Sequence, residues 1–315
     1  MSVDPQSQAL LDQVNAEGNP QLYELSVADA RAGLKEMTLA MDAPESDIAE
    51  RQERVIPGPN GDIPIRIYWP HSQSEEKTSA ILLLYHGGGF ALGDLDTHEN
   101  IARYYCRHAK VIVINVDYRL SPEHKFPAGV EDCYAALCWA ADNAHEIKAD
   151  PDRIAVTGDS AGGNLSAVMC QLAQARSGPA IAYQVLVYPV VTLSMETDYV
   201  SRDQFGCGYF LTSKDMQWIC ENYFSDINKE AKDVCASPIL AEELGGLPPA
   251  LIITAGYDPL HDEGKHYADR LRDAGVTVEY QCFEGTIHGF MSFSGALDVG
   301  REGLELVSRY LQENL

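Results

Sequence analysis

The sequence feature that points most directly to chemistry is a serine with a glycine two positions before it and another two positions after it. Positions 158–162 read Gly-Asp-Ser-Ala-Gly, which fits the pattern Gly-x-Ser-x-Gly with Ser160 at its centre. An apolar strand-like segment, 153–157, precedes the pattern, and a helix-like segment, 161–175, follows it. A sharp turn from strand to helix exposes the serine where the helix dipole favours negative charge. The pattern therefore predicts that Ser160 is a nucleophile.

A run of three glycines offers groups that could stabilise an oxyanion. These glycines, 87–89, come directly after a continuous apolar segment, 80–85. Such a loop can bend until its N–H groups face a reacting oxygen. We expect an oxyanion hole made of the N–H groups of Gly87, Gly88 and Ala161. The preceding histidine, His86, is interpreted as shaping this loop rather than taking protons.

A serine nucleophile needs a base, and the base needs a group that orients it. His288 follows the last predicted strand and so stands at the carboxyl edge of the sheet. Asp258 is the first of three carboxylates after the strand-like segment 250–254. The other two, Asp262 and Glu263, fall where a helix begins, and N-capping explains them adequately. The chain order serine, acid, histidine matches this type of turn and predicts His288 as base and Asp258 as its partner.

The elements that must position these groups alternate along the chain. Strand-like segments lie at 63–69, 80–85, 111–116, 153–157, 183–188, 250–254 and 276–283. Helix-like segments lie at 130–144, 161–175, 262–274 and 297–311. Such alternation predicts an α/β fold with a mostly parallel central sheet and helices on both faces.

Two segments break this alternation and predict a helical cap. Residues 1–50 are polar with helical spacing, and a stretch of about 45 residues near the middle is irregular, with a helix start at Thr212 or Ser213. Because α/β sheets bind ligands at the carboxyl edge, this insertion is expected to cover that edge. The predicted division is N-terminal helices contributing to the cap at 1–50, a catalytic domain at 51–190 and 236–315, and a cap insertion at 191–235.

Composition and charge exclude several classes of protein. The 315 residues include 23 Lys or Arg and 47 Asp or Glu, a net charge of −24 that disfavours nucleic acid and anionic membranes as partners. The longest apolar run is far shorter than the ~20 residues that span a bilayer, and no secretory signal is expected. Eight cysteines without a C-x-x-C pair indicate reduced thiols in a cytoplasmic protein and exclude a zinc ribbon and a disulfide scaffold, and no metal site is expected. The edge strand near 276–283 is a candidate for pairing in a homodimer.

Together these motifs resemble those of the hormone-sensitive-lipase family of α/β-hydrolases, the bacterial family IV esterases, in its GDSAGG branch. The motifs are HGGG at 86–89, DYRLSPE at 117–123, GDSAGGN at 158–164, DPLHDEG at 258–264 and HGF at 288–290. The resemblance runs from about residue 55 to the end. It implies the α/β-hydrolase fold, a cap, and carboxylester hydrolysis without a cofactor. The residues it implies are the triad Ser160, Asp258 and His288 and the oxyanion hole Gly87, Gly88 and Ala161.

We therefore expect a serine carboxylesterase that hydrolyses short- to medium-chain esters of small molecules through an acyl-enzyme. An amidase, a lactonase or a dehydratase on the same triad is an alternative, because the motifs do not separate these reactions. A non-catalytic ligand receptor of the same fold is another, although plant hormone receptors of this family lack the histidine that stands here as His288. A Ser-x-x-Lys match at 74–77 lies in an acidic, polar loop and is interpreted as chance.

Overall fold

An eight-stranded sheet forms the centre of the protein in the computed structural model, which describes residues 2–71 and 78–315. The Ser-x-x-Lys match at 74–77 lies outside the described residues. The strands are β1 (Glu50–Gly58), β2 (Gly61–Trp69), β3 (Ser79–Tyr85), β4 (Ile112–Val116), β5 (Ala149–Asp159), β6 (Tyr183–Val187), β7 (Ala250–Tyr257) and β8 (Val278–Ile287). The helices are α1 (Pro5–Val14), α2 (Val27–Met41), α3 (Glu99–Ala109), α4 (Ala128–Asp142), α5 (Ala161–Ala175), α6 (Val200–Gln204), α7 (Ser213–Tyr223), α8 (Ile227–Glu230), α9 (His261–Asp273) and α10 (Asp298–Asn314).

The sheet is mostly parallel, in the order β1-β2-β4-β3-β5-β6-β7-β8. Only β1 with β2 and β2 with β4 pair antiparallel, and every later neighbour is parallel. The side chains of β3 and β4 are almost completely buried, because helices cover both faces of a parallel sheet. The predicted fold class is confirmed.

The topology gathers the ends of three strands at one edge of the sheet. Ser160 follows β5, Asp258 follows β7 and His288 follows β8. Because β5, β6, β7 and β8 are neighbouring parallel strands, their carboxyl ends lie together. Residues 128 positions apart in the chain are thereby brought into contact.

The N-terminal helix α2 is fastened to the loops beside this edge. Arg31 on α2 pairs with Glu123 at 2.7 Å, and Lys35 pairs with Asp94 at 2.7 Å. Ser26 caps the start of the helix by accepting a hydrogen bond from the N–H of Asp29. The side of α2 that carries Leu34 and Met37 lines a cavity that also contains Ser160 and His288.

The segment between β6 and β7 is joined to the sheet domain by a buried ion pair. Arg202 on α6 donates through Nε to Glu263 on α9 at 2.9 Å, and Glu263 is completely buried. Glu263 also accepts the N–H of Val191, and the neighbouring Asp262 accepts the N–H of Ser201 at 2.9 Å. The interpretation of both acids as helix caps is wrong, since they bind the inserted segment instead.

Glu263→Ala is expected to lower the free energy of unfolding by about 3–5 kcal/mol, because it leaves the guanidinium of Arg202 buried without its partner. Urea denaturation measures the change. Glu131→Ala is the control: its pair with Arg176 is about one-third exposed on both sides and contributes less than about 1 kcal/mol. Equal losses in the two variants would contradict the role given to the buried pair.

In the described ranges, no helix combines the length and the apolar character needed to cross a membrane. The eight cysteines are unpaired thiols. Burial raises the pKa of Cys106 and of Cys220 to about 12. These two thiols are therefore poor nucleophiles at neutral pH.

Candidate active site

Ser160 occupies a strained turn between β5 and α5. Its backbone has φ 55° and ψ −114°, an uncommon conformation for a residue with a side chain. The turn packs tightly against β3: a Cβ on Gly162 would lie 1.8 Å from the carbonyl oxygen of Tyr85. The N–H of Ser160 donates to Val187 O at 2.9 Å and ties the turn to β6. Close packing thus maintains the strain that presents the hydroxyl.

The three side chains predicted to act together are in contact. Ser160 Oγ lies 2.9 Å from Nε2 of His288, and Nδ1 of His288 lies 2.7 Å from Oδ2 of Asp258. Asp258 is 1% exposed, and its other oxygen accepts the N–H of Leu260 at 2.8 Å. Because a carboxylate only accepts hydrogen bonds, it holds the proton of the imidazole on Nδ1. Nε2 is then free to take a proton from the serine.

The glycine loop differs from the prediction at one of its donors. The N–H of Gly87 donates to Oδ1 of Asp159 at 2.9 Å, so it is not free for an oxyanion. In the described part of the chain, the N–H groups of Gly88, Gly89 and Ala161 meet no acceptor. Gly88 and Gly89 both have positive φ, which turns successive N–H groups in a way that other residues rarely allow. The expectation that Gly87 is an oxyanion donor is therefore corrected, because its N–H donates to the partly buried carboxylate of Asp159 beside the serine.

Two histidines next to the loop differ in their surroundings. Burial lowers the pKa of His86 to about 4, and its ring stacks on Tyr118 at 4.3 Å. His86 is thus neutral, which agrees with the interpretation that it shapes the loop. His98, which the sequence analysis did not single out, lies 2.8 Å from Oδ1 of Asp159 through Nε2. No local motif marks His98, because its partner is 61 residues away in the chain.

Two cavities meet at Ser160. The larger, about 270 Å³, contains His288 and the glycine loop, and is walled by α2. The smaller, about 30 Å³, contains Ser160 and Gly89 but not His288, and is lined mostly by apolar side chains, together with Arg202. The α2 residues on the larger cavity include Ala30, Leu34 and Met37. The wall of the smaller cavity includes Val190, Leu193, Met216 and Cys220. A molecule bound at the hydroxyl of Ser160 could therefore place one part in each cavity.

A serine on a strained turn, in contact with a histidine–aspartate pair and close to N–H groups that have no acceptor in the described ranges, is the arrangement that a serine hydrolase requires. Residues 82–292 match a family model described as alpha/beta hydrolase fold. The chain belongs to the α/β hydrolases, and its resemblance to their hormone-sensitive-lipase family is confirmed.

Similar proteins are named as ester hydrolases. Carboxylic ester hydrolase LipN of Mycobacterium tuberculosis is 43% identical, over 92% of this chain and 77% of that protein. Carboxylesterase NlhH of the same species is 40% identical, over 90% of this chain and 89% of that protein. A solved ester-hydrolase from the metagenome of Lake Arreo, complexed with a bipyridine phosphonate derivative, is 38% identical with a TM-score of 0.94, over 99% and 98% of the two chains.

Proposed function

We propose that the chain is a carboxylesterase that hydrolyses short- to medium-chain esters of small molecules through an acyl-enzyme on Ser160. The enzyme class is confirmed by relatives that are named carboxylic ester hydrolase and carboxylesterase. The mechanism and the range of substrates are the proposed part. The observation that carries the mechanism is the contact of Ser160 Oγ with His288, which in turn contacts Asp258.

In the proposed reaction, Ser160 Oγ attacks the ester carbonyl while Nε2 of His288 takes the hydroxyl proton. Asp258 holds the imidazole in the tautomer required and stabilises the imidazolium that forms. His288 then protonates the departing alcohol. In the second half of the reaction, His288 takes a proton from a water molecule while the water oxygen attacks the carbonyl of the acyl-enzyme. The bond to Ser160 Oγ then breaks, His288 returns the proton to Oγ, and the carboxylic acid is released.

The oxyanion of each tetrahedral intermediate is proposed to bind the N–H groups of Gly88, Gly89 and Ala161. These three donors have no acceptor in the described ranges, whereas the N–H of Gly87 is bound to Asp159. Donors that are fixed before the reaction stabilise the developing charge without reorganising. The assignment keeps two of the donors expected from the sequence and replaces the third.

The cap is proposed to consist of the N-terminal helices and the segment between β6 and β7, as the division at 1–50 and 191–235 expects. Support comes from the walls of the two cavities. Leu34 and Met37 of α2 line the larger one, while Met216 and Cys220 of α7 line the smaller one. A cytoplasmic location and a homodimer through the edge strand β8 stay predictions.

The position of His288 assigns each cavity to one part of the ester. The departing alcohol must lie near His288, because it receives the proton from Nε2. Only the larger of the two cavities that meet at Ser160 contains His288. The acyl chain is therefore proposed to enter the smaller, apolar cavity, and the alcohol the larger one. This placement favours esters of short acids with bulkier alcohols.

Among p-nitrophenyl acetate, butyrate, octanoate and palmitate, we expect the maximum of kcat/KM at butyrate. Each buried methylene contributes ~0.8 kcal/mol until the cavity is full, and a cavity of about 30 Å³ fills early. Rates measured below the solubility limit of each ester test this. A maximum at palmitate would contradict the assignment.

Two variants separate the cavities in the same assay. Met216→Ala enlarges the smaller cavity and is expected to move the maximum to a longer acyl chain. Met37→Ala, on the larger cavity alone, is the control and should leave the acyl preference unchanged. An equal shift in both variants would count against separate acyl and alcohol cavities.

Turnover of matched substrates tests the reaction itself. Purified protein should hydrolyse p-nitrophenyl butyrate and leave the corresponding p-nitroanilide almost untouched. Faster hydrolysis of the amide would favour the amidase alternative. Binding of the ester without turnover would favour a receptor.

A further inference from the structure

The carboxylate of Asp159 joins the glycine loop to the start of α3. Its Oδ1 accepts the N–H of Gly87 at 2.9 Å and lies 2.8 Å from Nε2 of His98, the residue before α3. The two side chains are 13% and 6% exposed. One partly buried oxygen thus connects two segments beside Ser160, and the proposed reaction gives neither side chain a role.

The charge on Asp159 fixes the direction of both hydrogen bonds. Burial acts to raise its pKa, but the electrostatic interactions with His98 and its neighbouring histidines and the hydrogen bond with His98 outweigh burial, so the pKa lies below its usual range. An ionised carboxylate can only accept, so Nε2 of His98 carries a proton and donates it. The other ring nitrogen of His98 is also hydrogen-bonded, since Nδ1 lies 3.0 Å from Oγ1 of Thr97.

The glycine loop needs such an anchor because it has no side chains of its own. Gly88 has φ 116° and Gly89 has φ 60°, and glycine is the residue with the most backbone freedom. Oxyanion donors act only if they are already aimed at the charge that develops. If the backbone could rotate at Gly87, the N–H groups of Gly88 and Gly89 would no longer point toward the oxyanion.

We propose that Asp159 and His98 are positioning residues for the oxyanion hole. Asp159 holds the N–H of Gly87 and thereby directs the N–H groups of Gly88 and Gly89 toward the reacting carbonyl oxygen. His98 holds the carboxylate in place. The inference rests on the proposed esterase function, and it adds to that function a role for two side chains that do not touch the substrate.

The test compares kcat, KM and the affinity for an alkyl boronic acid, which forms a tetrahedral adduct with a nucleophilic serine. Asp159→Ala and His98→Ala are each expected to lower kcat by about 10- to 100-fold, because two oxyanion donors are loosened rather than removed. Boronate affinity should fall in parallel, while KM stays within about threefold. Asp159→Asn keeps an acceptor for Gly87 and for His98 and should retain kcat within about threefold.

The double variant shows whether the two residues act together. Because both act through one hydrogen bond, the losses should not multiply, and Asp159→Ala with His98→Ala should resemble the worse single variant. Gln184→Ala is the control: it removes a buried side chain that donates to Pro248 O near the opposite end of β6. It should lower the melting temperature and leave kcat and boronate affinity unchanged.

Three outcomes would overturn the inference. One is a lower melting temperature with unchanged kcat and boronate affinity in the alanine variants, as in the control. Another is Asp159→Asn as impaired as Asp159→Ala, since charge rather than hydrogen bonding would then matter. The third is multiplying losses in the double variant. If Asp159→Ala does not fold, His98→Ala on the separate segment carries the test. A wild-type protein without esterase activity would instead refute the proposed function.

Discussion

Replacing Ser160 with alanine is expected to abolish ester hydrolysis and leave the protein folded. The change removes only the hydroxyl that lies 2.9 Å from Nε2 of His288, while the tight contacts of the turn involve its backbone and neighbouring glycines. Losing the serine of such a triad lowers kcat by roughly 10⁶. Turnover of p-nitrophenyl butyrate measures the loss, and circular dichroism with the melting temperature measures the fold.

A second serine provides the control. Ser166 lies in α5, is completely buried and donates through Oγ to the carbonyl oxygen of Gly162 at 2.8 Å. Ser166→Ala removes a hydroxyl from the helix that follows Ser160. This hydroxyl does not contact His288, so activity should stay near that of the wild type. If folded Ser160→Ala protein kept more than a few per cent of the activity, the nucleophile would be another residue.

Asp258→Asn is expected to lower kcat on the order of 10⁴-fold. An amide at this position can donate to Nδ1 of His288 and so favours the tautomer with its proton on Nε2, where it cannot take the hydroxyl proton. The geometry of the site should otherwise persist, because Oδ1 can still accept the N–H of Leu260. The pre-steady-state rate of p-nitrophenol release measures this effect on the acylation step.

Asp262→Asn is the matched control, four residues further along the chain. Its carboxylate accepts the N–H of Ser201 and contacts Nδ1 of His261, away from His288. Its loss should reduce stability slightly and change the rate little. A folded Asp262→Asn protein that was less active than Asp258→Asn would show that the acid had been assigned to the wrong carboxylate.

The elements that carry the predicted catalytic groups could be read from local patterns. The segment predicted as a helix, 161–175, coincides with α5, and the strand-like segment 80–85 lies within β3. A helix or a strand that buries one face repeats its apolar residues with a fixed spacing, so the element can be recognised from a short stretch of sequence. A small set of connection rules governs α/β topology. The order of the elements was therefore enough to predict that Ser160, Asp258 and His288 lie at one edge of the sheet.

What the sequence analysis missed depends on contacts between distant parts of the chain. The bond from Gly87 N–H to Asp159 spans 72 residues, and nothing near either residue indicates it. The same holds for Glu263, which looks like a helix cap but binds Arg202 across 61 residues. Helix α3 was also missed, because its charged residues interrupt a narrow buried stripe that includes Ile101, Tyr105 and Cys106.

The larger cavity owes much of its wall to residues that precede the whole sheet. Val14, Leu22, Leu34 and Met37 come before β1, whereas Ser160 and the other residues of the smaller cavity belong to later parts of the chain. Exchange of this leading segment between relatives would therefore replace part of the surface proposed to contact the alcohol and leave Ser160, Asp258 and His288 in place. Chimeras joined between α2 and β1 are therefore expected to change the alcohol preference while the proposed acyl cavity stays the same.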